Sequence, residues 1–264
     1  NFRLYLERDP SNELARSGLL SCELASQWKG SPNLYKVKKE QLFNSRRADY
    51  SPVLLGDESD MLFLTSTRNQ SKGDEISGIT GAKYSEIDSE INTDYDEGAC
   101  CFSPDGKTMY FTRCSSDPDY PRYAEIWEST RSDASWSSPK KCEISKDTLS
   151  SYAHPAVSPD GEWLYFVSDM PGGEGGFDIW RTRIVSTGFG GVENMGRPIN
   201  TSGDEMFPTF KPTGELYFSS DGHPGMGGLD ILKATNDSIR GWIVENQQFP
   251  LNSSADDFGM TFEG

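Results

Sequence analysis

Histidine is nearly missing from this chain: there are two in 264 residues. No Gly-x-Ser-x-Gly elbow, His-Glu-x-x-His pair or Walker loop accompanies them, which removes the common hydrolase and nucleotide-binding signatures. His154 opens an apolar stretch and His223 sits among turn residues, so both read as structural. The five cysteines are an odd number without metal-ligand spacing, and Cys100-Cys101 is not a CxxC pair. Cys100, Cys101, Cys114 and Cys142 are expected to be free, partly buried thiols, and the redox compartment stays open. No run approaches the ~18 apolar residues of a membrane helix. Basic residues are also short, 25 against 41 acidic, for a net charge of −16. A surface of that sign cannot neutralise a row of phosphates, so nucleic acid is excluded and proteins, sugars or cations remain as partners. The chain opens at Asn1 without a basic leader, as expected of a processed or trimmed product.

What is present points to strands and turns. Gly (26), Pro (15) and aromatic residues (12%) are plentiful while hydrophobic content is only 34%, a balance suited to short strands joined by tight turns. The dominant signal is internal repetition. The stretch from Gly98 to Thr112, with Phe102-Ser103-Pro104-Asp105-Gly106 at its centre, returns from His154 to Ser168 and again from Phe207 to Ser220. A looser copy runs from Ser51 to Ser66. Phe102, Val157, Phe210 and Phe262 follow one another at spacings of 55, 53 and 52 residues. Each copy is expected to be strand, turn, strand. Pro fixes φ, Asp supplies an acceptor and Gly takes the left-handed position that reverses the chain.

A third strand is predicted at Glu125-Ile126-Trp127, Asp178-Ile179-Trp180 and Asp230-Ile231-Leu232. The last two are entered through Gly-rich turns, read as tight connections and not as phosphate loops. A fourth strand is predicted within Trp136–Ile144, Val192–Ile199 and Trp242–Leu251, before a linker that recurs as Ile91-Asn92-Thr93, Ile199-Asn200-Thr201 and Leu251-Asn252-Ser253. Four strands per repeat predict an all-β propeller of four-stranded antiparallel blades. Trp127, Trp180, Tyr110, Tyr165 and Tyr217 recur with the blades as core. Four blades and the first strand of a fifth are visible, and six are extrapolated for the complete ring. Residues 34–43 are assigned as a closing outer strand, after a helical segment over 1–33 in which Asp9-Pro10-Ser11 starts one helix and Gly30-Ser31-Pro32 ends it. Ile87 to Ile91 spans four residues where other units spend 18 to 20, so a segment missing near Ile87–Asp88 is expected.

These repeats resemble the PD40 family of WD40-like propellers known from TolB, on Phe102-Ser103-Pro104-Asp105-Gly106-Lys107, Ala156-Val157-Ser158-Pro159-Asp160-Gly161 and Phe177-Asp178-Ile179-Trp180. The chain is also similar to the Bacteroidetes OmpA-family envelope proteins that place such a propeller after tetratricopeptide-like helices. The stretches that carry this are Ser17 to Glu23, Asp49-Tyr50-Ser51-Pro52 and Ile91 to Gly98. The resemblance implies export to the periplasm, association with the outer membrane, and a scaffold role among envelope or type IX secretion proteins. It also implies peptidoglycan anchoring through a C-terminal domain that this sequence does not include. It implies neither catalysis nor membrane insertion by this chain.

Candidate sites follow from the repeats. Asp96-Glu97, Asp204-Glu205 and Asp256-Asp257 hold equivalent places before the innermost strand. They could ring one channel mouth and take Ca²⁺, which prefers oxygen ligands, or they could simply accept backbone hydrogen bonds at the blade junctions. Asp117, Asp119, Tyr120 and Tyr123 form an acidic, aromatic loop that suits a partner contact. No residue is singled out as catalytic or cofactor-binding. A carbohydrate or peptidoglycan-fragment binder and a propeller hydrolase are the rivals to a scaffold.

Overall fold

The computed structural model describes residues 1–39, 48–55, 61–67, 90–93, 95–115, 123–132 and 135–262. Two helices open the chain, α1 (Phe2–Arg8) and α2 (Glu13–Gly30). One helix was expected, starting at Asp9-Pro10-Ser11. That stretch is instead the turn between two helices, and the cap is Asn12, whose side chain accepts the Ala15 N–H at 2.9 Å.

Among the described residues fifteen strands follow: β1 (Asp49–Leu55), β2 (Met61–Ser66), β3 (Asp96–Phe102), β4 (Thr108–Ser115), β5 (Tyr123–Ser132), β6 (Ser135–Trp136), β7 (Lys140–Lys141), β8 (Tyr152–Val157), β9 (Trp163–Ser168), β10 (Asp178–Val185), β11 (Gly188–Asn194), β12 (Glu205–Phe210), β13 (Leu216–Ser220), β14 (Asp230–Asp237) and β15 (Gly241–Asn246). They pair antiparallel in separate sheets, β1-β2, β3-β4-β5-β6 with β7 also on β5, β8-β9-β10-β11 and β12-β13-β14-β15. The outer strand of the second sheet is split into β6 and β7 by Ser137-Ser138-Pro139, where Pro139 has no N–H for the ladder. The other outer strands end at Asn194 and Asn246, short of the predicted limits.

The hairpins form as their residues dictate. Gly106, Gly161 and Gly214 have φ of 67°, 73° and 103°, and each donates its N–H back across the turn at 2.8 Å. Asp105 and Asp160 accept the N–H of the residue two ahead, at 3.1 and 2.9 Å.

Packing is between sheets. Tyr110 and Ile126 of the second sheet meet Tyr152, Leu164, Phe166 and Trp180 of the third. Tyr165, Val167 and Ile179 of the third meet Leu216, Phe218 and Leu232 of the fourth. Phe63 of the first lies 4.9 Å from Phe102 of the second. Phe166 and Leu164 are fully enclosed, each worth about 2 kcal/mol in apolar area removed from water. The innermost strands adjoin in order, β1 on β3, β3 on β8 and β8 on β12. Four-stranded antiparallel sheets arranged with their first strands inward define a β-propeller.

The fifth unit supplies an inner segment without a strand assignment. Phe258 stacks on Phe207 of β12 at 4.7 Å and meets Tyr50 of β1 edge-on at 6.3 Å, so this segment links the fourth sheet to the first. Over the described part of the expected closing strand, residues 34–39 are irregular. Asn33 and Tyr35 reach the end of the fourth sheet, where Asn33 N–H donates to the Phe249 carbonyl at 2.7 Å and the Tyr35 hydroxyl meets Gln247 at 3.0 Å. Residues 40–43 and the expected gap at Ile87–Asp88 lie outside the described residues.

Candidate functional site

The repeated acids form a motif at the blade junctions. Glu205 accepts the N–H of Thr201 at 2.8 Å and its hydroxyl at 2.6 Å, which ties the linker to β12. Glu97 accepts the Thr93 N–H at 3.1 Å, and Asp257 the Ser253 N–H at 2.5 Å. Asp204 and Asp256 turn the other way and accept the N–H of Phe177 and Leu229 at 2.8 and 3.0 Å, holding the Gly-rich turns of the preceding blades. Asp96 heads β3 on the exposed side. Among the described residues no three His, Cys, Asp or Glu gather in a group fit for a metal ion. Tyr123 begins β5 half-buried, and Asp117, Asp119 and Tyr120 lie outside the described residues.

The linker asparagines add a bond pair that the recurring Asn-Thr and Asn-Ser steps could have signalled. Asn200 receives the Ile179 N–H at 2.9 Å and donates to the same residue's carbonyl at 2.9 Å. Asn252 does the same for Ile231. In the Gly-rich turns, Asp178 and Asp230 accept loop N–H groups, at 2.7 Å in the case of Met226. A Cβ on Gly175 would run into the carbonyls of Gly203 and Thr201, so close approach of backbone is what glycine serves there.

Glu205 also belongs to a cluster that the sequence does not reveal. The Ser220 hydroxyl donates to Glu205 at 2.7 Å, and His223 Nδ1 stands 3.0 Å from the Ser220 oxygen and 3.7 Å from Glu205. Burial pushes the Glu205 carboxyl up to about 7 and the His223 imidazole down. An acid, a serine and a histidine in contact are the parts of a nucleophilic triad, but Ser220 and Glu205 have no exposure at all. A hydroxyl sealed from solvent cannot attack a substrate, so the cluster is structural.

The open site is the axis. A cavity of about 600 Å³ is walled by the inner strands and by residues 259–262, and this falls in the size range of small-ligand pockets. Each inner strand carries a bulge near its middle. Ser51, Ala99, His154 and Phe207 adopt left-handed φ of 47°, 43°, 48° and 53° at the bulge, and Gly259 has φ 73° at the same place in the fifth segment. Pro52, Pro155 and Pro208 follow three of them and line the cavity. That repeated Pro was the one sequence signal of the bulge.

The bulge N–H groups are satisfied across blades. The Ala99 N–H reaches Thr65 Oγ1 and the His154 N–H reaches Thr112 Oγ1, both at 2.9 Å. Valine, Val167, stands at the matching place in β9, and the Phe207 N–H goes to His154 Nδ1 at 3.4 Å instead. His154 stacks on Phe207 at 3.9 Å, continuing the arc through Phe258 to Tyr50. Burial lowers the His154 pKa to about 4. Cys100 and Cys101 also line this wall as free thiols, and burial pushes the Cys100 thiol up to about 12, which leaves it unreactive at neutral pH.

Fold and site together define a propeller with an open axial cavity and no assembled catalytic group among the described residues. No family model matches the chain, and no curated protein matches it. Solved structures similar to it include a putative TolB from Agrobacterium tumefaciens, 23% identical over 60% of this chain and 52% of that one, with a TM-score of 0.38. A protein of unknown function from Dyadobacter fermentans is 13% identical over 80% of this chain and 62% of that one, at 0.42. A puromycin-hydrolysing peptidase from Mycobacterium tuberculosis is 16% identical over 79% of this chain and 31% of that one, at 0.40. The chain thus spans about half of the TolB structure and about a third of the peptidase. The fold assignment rests on strand order and packing.

Proposed function

We propose that this chain is a non-catalytic interaction scaffold of a periplasmic assembly at the outer membrane, in the manner of the type IX secretion component PorE. The observation that carries the scaffold reading is the division of labour between the residues. Five of the six repeated carboxylates accept backbone N–H groups at blade junctions, while the axial cavity keeps open space lined mainly by proline, aromatic, aliphatic and small side chains. Asp105 is the single carboxylate among the described residues that line that cavity, so a glycosidase pair does not face it. The envelope setting and the secretion link rest on the sequence resemblance alone. No described helix is long and apolar enough to cross a membrane, so outer-membrane association would come through partners or other parts of the protein.

The test is affinity capture from envelope extract with this propeller as bait, followed by mass spectrometry and re-measurement of each hit with purified protein. Direct binding of one or more envelope or secretion proteins is expected. Capture of peptidoglycan fragments alone would replace the scaffold with a carbohydrate binder.

A further inference from the structure

Helix α2 lies on the propeller with little apolar support. Of its residues only Ala15 is buried, so its place depends on polar contacts. Glu13 in its first turn pairs with Arg197, which also bonds Glu174 at 3.2 Å, and the Ser21 hydroxyl oxygen accepts the Gly225 N–H at 2.9 Å. Both anchors are neighbours of one side chain, His223. Its Nε2 stands 3.0 Å from the carbonyl of Pro198, the residue after Arg197, and its own loop runs on through Pro224 to Gly225.

The hydrogen bonds around His223 need one proton more than a neutral imidazole and an ionised carboxylate supply. The Pro198 carbonyl can only accept, so Nε2 carries a proton. Nδ1 and the Glu205 carboxylate both face the Ser220 hydroxyl, at 3.0 and 2.7 Å. The Ser220 oxygen already accepts the N–H groups of Gly222 and His223 at 3.0 and 3.3 Å, and it has one proton to give. With Glu205 ionised the hydroxyl serves the charge. Nδ1 is then left without a donor among the described residues, 3.7 Å from the carboxylate. One further proton removes the conflict. On Glu205 it frees the hydroxyl for Nδ1; on Nδ1 it makes an imidazolium that faces the carboxylate. Burial favours the first, because it pushes the Glu205 carboxyl up to about 7 and the His223 imidazole down. The charged groups facing the pair are Asp178 of β10, which adds to the rise, and Arg197 of the linker, which adds to the fall.

We propose that Glu205, Ser220 and His223 form a one-proton latch for the helical segment: with the shared proton present α2 stays docked on the third and fourth blades, and its loss unseats His223 and releases α2. Glu205 keeps its proton below its folded pKa, so attachment is full at pH 6 and is lost as pH rises through about 7. The anchors do not produce such a step themselves, since Glu13 is shifted down from 4.5 and Arg197 up from 12.5. The latch joins two parts of this chain and goes beyond the scaffold reading, which stands or falls without it.

Protection of α2 is read by hydrogen exchange and mass spectrometry at pH 6 and 8.5, each rate divided by that of the unstructured peptide. A helix of 18 residues is marginal on its own in water, so release exposes its amides to exchange. In the wild type, α2 protection is expected to fall about tenfold between the two pH values while β9 and β10 hold theirs. Glu205→Gln keeps an acceptor for the Thr201 N–H and gives Ser220 a permanent N–H donor, so α2 should stay protected at both. Histidine ¹⁵N spectra of the wild type give a second reading that needs no variant: the His223 Nδ1 signal is expected to move over the same pH step. Equal α2 protection at the two pH values in the wild type, a loss of unchanged size in Glu205→Gln, or a His223 signal flat from pH 6 to 8.5 would each overturn the latch.

Discussion

At the scale of the residue, two buried titratable groups act on stability with opposite sign. Glu205 is held near pKa 7 by burial against an ordinary 4.5. The folded state therefore keeps a proton that the unfolded chain has lost, and this contribution is full below about pH 4.5 and gone as pH rises through 7. His154 is the reverse case, lowered from 6.5 to about 4. Its contribution is present above 6.5 and lost as pH falls through 4. Melting curves of wild type and Glu205→Gln should diverge as pH rises from 5 to 7.5, with wild type losing ground. Against His154→Phe, wild type should lose ground as pH falls from 6.5 to 4. Parallel curves in either comparison would show that the group is not shifted. Gly175→Ala should cost about 2 kcal/mol in chemical denaturation, because its Cβ meets fixed backbone carbonyls. Gly191→Ala, facing open space, should cost under about 0.5 kcal/mol.

At the scale of the element, the inner strand is the part that sequence patterns described incompletely. Its hairpin was legible, since Pro-Asp-Gly has a single local solution at Gly106 and Gly161. Its bulge was not, because Ser51, Ala99, His154 and Phe207 share no side-chain property that favours positive φ. The contrast can be measured with one substitution at two sites. Ala99→Gly relieves a left-handed alanine and should stabilise by up to about 1 kcal/mol. Ala156→Gly, in the same kind of strand but at an ordinary strand φ and 3% exposed, should destabilise by about 1 kcal/mol. Equal effects would mean the bulge conformation is not strained. The outer strand of the second sheet was also drawn too continuous, for the reason that Pro139 interrupts its ladder.

At the scale of the whole molecule, the link between the fourth sheet and the first runs through a short apolar segment. Phe258 bridges Phe207 and Tyr50, and Ser219 donates its hydroxyl to the Asp257 carbonyl at 3.0 Å. Phe258→Ala should cost about 1–2 kcal/mol, less than a core phenylalanine because the ring is 37% exposed. Removal of residues 256–264 should speed amide exchange in β1 and β12 while β9 and β10, packed on both sides, keep their protection. Uniform loss of protection would show that the sheets unfold as one unit.

The sequence alone determined the repeat, the hairpin turns, the first three strands of the second, third and fourth blades and the absence of a catalytic signature, because those depend on spacing and on residues with local conformational preferences. The junction acids were also legible as two alternatives, a cation ring or backbone acceptors. Only the tertiary structure showed which N–H groups they accept. It alone showed the contact of His154 with Phe207, since that depends on a hydroxyl lost at Val167 in the same blade and on a backbone N–H 53 residues further along, in the next. Hydrogen-bond partners exchanged between blades leave no periodic trace in the chain, and a site built from such exchanges becomes visible only when the blades are assembled.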